Sequence, residues 1–76
     1  SPALAAREEG DLADFARQLR AAADACENAN AQRQLATWAT AAGKWAGSVA
    51  TDRPKAAARS EALLTDVPLA ATAADC

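Results

Sequence analysis

The sequence predicts an all-α fold: a small up-down-up three-helix bundle with a short C-terminal tail, closed by a Cys26–Cys76 disulfide. Three observations lead there. About 25 of the 76 residues are Ala, the strongest helix former, roughly a third of the chain. The β-branched and aromatic residues that a sheet needs are scarce, with few Val and no Ile or Tyr. Apolar residues recur at helical spacing in three stretches separated by turn-forming residues. A chain of 76 residues is a single domain, 1–76. At this size folding hides only about 60% of the unfolded surface, so a covalent staple or a partner matters to stability.

Ser1-Pro2 is a helix start, with a capping hydroxyl followed by a proline suited to the first helical position. Gly10 interrupts, so residues 2–9 read as a short helical lead-in. Asp11 is a second cap, with Asp14 at capping-box spacing, and opens the first long helix over 11–27. Leu12, Phe15, Leu19, Ala22 and Cys26 share one face of it. Asn28 or Asn30 caps the second helix, about 30–48, where Leu35, Trp38, Ala42, Trp45 and Val49 form a narrow apolar arc. Gly47-Ser48 weakens it, and Thr51-Asp52-Arg53-Pro54 is a turn followed by a cap and an early-helix proline. The third helix, about 53–66, turns Ala56, Ser60, Leu63, Leu64 and Val67 inward and stops before Pro68. Residues 69–76 form the tail, with room for one more turn.

The topology explains the cysteines. Cys26 ends the first helix; the second descends and the third climbs back, so the tail brings Cys76 to the same end. A bond there closes a loop of about 50 residues and contributes roughly 4 kcal/mol in the chain-entropy model. The competing readings are a redox-active thiol or unpaired cysteines. Cys26 lies beside Asp24 and Glu27, which disfavour a reactive thiolate, and no Cys-x-x-Cys pair is present. A structural disulfide implies an oxidising compartment, and a chain starting at Ser1 matches a processed one, so a secreted or periplasmic location is expected.

Composition also narrows the chemistry. Without His there is no Ser-His-Asp or Cys-His site, and the commonest ligand for zinc and haem is missing. Glu8, Glu9 and Asp11 lack the alternating pattern of a calcium loop. No two carboxylates fall at buried positions where they could converge in a cleft. No enzyme activity, cofactor or metal is therefore expected. The net charge of −2 argues against nucleic acid, and no apolar run is long enough to span a membrane.

Several features admit two readings. Trp38 and Trp45, two helical turns apart, are either core or aromatic anchors for a partner or apolar ligand, with Phe15 as a third candidate. Charge is segregated, with −3 over residues 1–27 and +1 over residues 28–76. Arg53, Lys55 and Arg59 begin the third helix, where the macrodipole disfavours cations. They either complement Glu8, Glu9, Asp11 and Asp14 within the chain or form a basic patch for an anionic partner.

Two short motifs bear resemblances. Trp45-Ala46-Gly47 resembles the Trp-x-Gly motif of the small helical-hairpin WXG proteins exported by type VII secretion, which carry it between two long helices. This chain departs from them in its Cys pair, its shorter length and its lack of Tyr for their usual C-terminal signal. Arg17-Gln18-Leu19-Arg20 is similar to the Arg-x-Leu-Arg pattern of secreted oomycete effectors, which normally lies in a disordered leader, whereas Leu19 here belongs to an apolar helix face. The expected function is a small secreted protein-binding module or accessory subunit, partnered by another protein or itself. The alternative is a carrier that shelters a small apolar ligand between the helices beside Trp38, Trp45 and Phe15.

Overall fold

Gly10 decides where the first long helix begins. In the computed structural model, which describes residues 1–76, the lead-in is a true helix, α1 (Pro2–Glu8). Gly10 ends it at φ +79°, a left-handed conformation that L side chains avoid. The N–H of Asp11 donates to the Ala6 carbonyl and that of Gly10 to the Arg7 carbonyl, the paired closure of a Schellman turn. The Asp11 carboxylate then accepts from the N–H of Asp14 (3.0 Å) and caps α2 (Leu12–Ala25). Asp14 does not complete a capping box; its carboxylate pairs with Arg17 at 3.1 Å.

Asn28 rather than Asn30 caps the next helix, accepting from the N–H of Ala31 at 3.1 Å. That helix, α3 (Ala29–Ala50), is the longest, and it runs unbroken through Gly47 and Ser48. It ends in a second Schellman turn, in which the N–H of Arg53 donates to the Ser48 carbonyl and that of Asp52 to the Val49 carbonyl. Here the left-handed residue is Asp52, at φ +54°. α4 (Pro54–Leu64) follows. After Pro68 the tail winds into a further turn, α5 (Leu69–Ala74), which anchors itself by burying Leu69.

The architecture is all-α and up-down-up, with α3 as the shared spine. α2 packs antiparallel on α3, α4 returns along it, α1 leans on α2, and α5 touches α3. α2 and α4 share hardly any contact, so each is held chiefly by the spine. The molecule is accordingly elongated, 36 × 20 × 19 Å. At about 1.5 Å per residue the 22 residues of α3 span roughly the whole long axis, whereas the 14 of α2 cover only about two thirds of it.

One core cluster joins Ala3 and Ala6 of α1 to Phe15, Leu19 and Ala23 of α2, to Leu35, Trp38 and Ala42 of α3, and to Leu64 and Leu69 beyond. The small Ala faces let the helices approach closely, and Phe15, Leu19, Leu35 and Leu64 fill the space between them. Arg7 lies over the Phe15 ring, 5.9 Å from its centroid, and lids the α1–α2 junction. Arg20 reaches from α2 to the Thr40 hydroxyl of α3 (3.1 Å). Cys26 and Cys76 are joined, with their Cα atoms 4.9 Å apart, and tie the end of α2 to the segment just beyond α5.

Two inward assignments do not hold. Val49 is 54% exposed and Leu63 is 64% exposed. Both lie on apolar stripes that are buried elsewhere in their helices. The stripe of α3 runs on past the reach of α2, and that of α4 is wider than the single helix it packs against. Ala56 and Val67 are half-buried, while Ser60 and Leu64 are inside as expected.

Candidate functional site

The side chains of Trp38, Trp45 and Phe15 serve the core. Phe15 is wholly buried, Trp38 nearly so, and Trp45 packs half-buried against the same cluster. None of the three lines any of the main cavities of the molecule, all of which open at the surface.

The largest cavity is a groove of about 540 Å³ between the C-terminal half of α3 and α4. From α3 it takes Lys44, Gly47, Ser48 and Thr51, the i, i+3, i+4, i+7 stripe of one helix face. From the α4 side it takes Arg53, Ala56, Arg59, Ser60 and Leu63. A shallower cavity adjoins it, sharing Ser48 and Arg53 and adding Val49, Asp52, Pro54 and Ala57. Both exposed large aliphatic side chains of the protein, Val49 and Leu63, therefore flank one site.

Three cations and no acid line the main groove, while Asp52 lines the adjoining cavity. The only ion pair is Arg17–Asp14, within α2. Arg53 and Arg59 thus do not pair with Glu8, Glu9, Asp11 or Asp14, and the intramolecular complementarity allowed by the sequence does not form at contact distance. The reason is topological: α1 and α2 have their packing partners in each other and in α3, not in α4. Arg53 and Arg59 face the groove, and Lys44 joins them from α3. Lys55, the third member of the predicted basic patch, is exposed and does not line it.

The first turn of α4 adds to this imbalance. Its N-cap position is occupied by Arg53, whose side chain has no acceptor, and its first turn contains no acid. Amide N–H groups at the start of a helix need acceptors and carry partial positive charge. In α2 and α3 the carboxylate of Asp11 and the amide of Asn28 supply them; α4, like α1 and α5, has no side-chain cap.

Ser60 is the least expected member. The residue is only 8% exposed, but its hydroxyl oxygen is not among the buried atoms and is wetted from the groove, since no buried side-chain oxygen of the protein lacks a partner. The hydroxyls of Thr37, Thr40, Ser48, Thr51 and Thr65 each donate to the carbonyl four residues back. Ser60 instead opens on the groove. Sequence reasoning placed Ser60 inward but gave it no polar role, and it passed over Lys44. The stripe of Lys44, Gly47, Ser48 and Thr51 is the signal that points to Lys44, and only the return path of α4 shows which stripe faces it.

The remaining features are local. The acids Glu8, Glu9 and Asp11 are all exposed. No helix is long and apolar enough to cross a membrane. Trp45-Ala46-Gly47 lies inside α3, four residues short of the turn, and not at a hairpin junction as in the WXG proteins. The Arg17–Arg20 segment is wholly within α2. Comparison with known proteins returns no matching family model, no matching characterised relative and no matching solved structure.

Proposed function

We propose that this chain is a small non-catalytic protein-binding module of an oxidising compartment, secreted or periplasmic, whose docking surface is the α3–α4 end. The observation that carries this reading is the coincidence at that end of the two exposed large aliphatic side chains with three cations that have no ion pair. Exposed aliphatic groups beside unpaired charge gain nothing for an isolated bundle, whereas a partner would bury the first and neutralise the second. The disulfide supports the compartment, since such bonds persist where thiols are not kept reduced.

The test is a comparison of variants as bait against the medium or periplasmic fraction of the source cells. A partner retained by wild type and by Arg33→Glu, on the far half of α3, but lost by Val49→Glu/Leu63→Glu supports the reading. Retention by all three overturns the docking surface. A co-purified apolar molecule that shifts Trp emission on removal would favour the carrier instead.

A further inference from the structure

The groove holds more than a patch of positive charge. Three features converge in it: the cations Lys44, Arg53 and Arg59; the first turn of α4, which has no side-chain cap; and the Ser60 hydroxyl, which solvent reaches from the groove. Each of these alone is commonplace. Together they present donors and positive charge that no acid lining the groove offsets. We infer that the groove receives the carboxylate of an acidic partner segment, an Asp or Glu side chain with an aliphatic neighbour that covers Leu63. This rests on the protein-binding reading and gives its partner a chemistry.

The choice of a carboxylate on a peptide follows from what surrounds the donors. Leu63 forms one wall and is 64% exposed. A free inorganic anion would satisfy the cations and leave that wall in water, whereas an acidic residue beside an aliphatic one matches both. Arginine forks suit carboxylates in particular. The protein as a whole is acidic, at −2, so the attraction is confined to this groove and is not a general affinity for polyanions.

Gly47 offers a position at which the same assignment can be probed. It sits in the interior of α3 on the groove wall, and a Cβ built there would meet nothing within 4 Å. The fold has no steric need for glycine at this position, and in a helix interior glycine is unfavourable. Gly43, one turn earlier, is equally open but lies outside the groove, and so provides a matched control.

The experiment uses the oxidised full chain, labelled with 15N, and two capped helical peptides. One presents Glu and Leu on a single face; its twin carries Gln in place of every Glu. At low salt the Glu peptide is expected to shift the amides of residues 44–51 and 53–63, with the twin at least about tenfold weaker. Arg53→Gln/Arg59→Gln should weaken the Glu peptide by about tenfold or more, and Ser60→Ala by several-fold. Gly47→Ala should weaken it while Gly43→Ala does not. Both glycine variants are expected to fold at least as well as wild type, so lost binding in one of them cannot be lost structure.

Equal binding of the two peptides, shifts that map elsewhere, or indifference to the Arg substitutions would overturn the proposal. So would saturation of the groove by inorganic phosphate with no gain from the peptide. A concentration-dependent dimer broken by Glu8→Gln/Glu9→Gln would also overturn it, by making a second copy the occupant. Should the cellular partner depend on Leu63 but ignore Arg53→Gln/Arg59→Gln, the acidic assignment fails while the docking surface stands.

Discussion

The two halves of α3 are built to different standards. In the first half Ala31, Leu35, Trp38, Ala39 and Ala42 are all buried against α2 and its neighbours. From Gly43 onward no residue of α3 is buried, and Trp45, Ala46 and Ser48 are only half-covered. The contrast extends to the helix ends. At the packed end Asn28 caps α3 and the disulfide binds the chain shut. At the open end α4 starts without a side-chain cap. The two Schellman turns also differ: the one after α1 uses Gly10, whereas the one after α3 places Asp52 in a conformation that costs an L residue about 1 kcal/mol or more. Stability is concentrated at one end, and the other keeps its donors and aliphatic groups available.

The comparison can be broken at four points. The largest effect is expected from the disulfide. Cys26→Ala/Cys76→Ala should lower unfolding free energy by about 4 kcal/mol, measured by urea titration, because the unfolded chain regains the entropy of a 50-residue loop. An unchanged midpoint would mean that packing alone holds the packed end.

Leu35→Ala should cost about 2–5 kcal/mol, as a large-to-small change at a fully buried site. Leu63→Ala should stay within about 0.5 kcal/mol, being a surface change. Similar losses for the two would contradict the division between the halves.

Capping gives the third pair. Asn28→Ala should destabilise by about 1 kcal/mol through the lost bond to Ala31. Arg53→Asp should stabilise by a comparable amount, since it supplies both an acceptor and a negative charge to the first turn of α4. The same substitution removes a cation from the groove, so thermal midpoint and peptide affinity should move in opposite directions.

The last pair belongs to the turns. Asp52→Gly should raise stability by roughly 0.5–1 kcal/mol by relieving the left-handed backbone. Gly10→Ala should lower it by about 1–2 kcal/mol for the converse reason. Thermal melts of the pair, with both expected to keep wild-type helix content, check the signs.

Much of the helix layout was readable in advance. Asp11 as a cap, Gly10 as a break, Pro68 as a stop and the inward arc of Leu35, Trp38 and Ala42 depend on neighbours within a turn or two. The open end was misread at Val49 and Leu63 because periodicity identifies the apolar face of a helix and not how far its partner extends along it. Arg53, Lys55 and Arg59 were recognised as a group for their misplacement at a helix start, but their split between groove and solvent depends on rotation about the α4 axis, which charge segregation does not encode.

By itself the sequence determined the helical class, the main breaks between helices and the residues able to bridge its two ends, because propensity, capping and turn chemistry act over a few residues. Tertiary structure alone decided that α4 packs on α3 and hardly at all on α2, that Ser60 and Lys44 share a groove with Arg53 and Arg59, and that two aliphatic side chains remain uncovered. Those outcomes follow from the relative lengths and rotations of the packed helices, α3 being longer than anything laid against it.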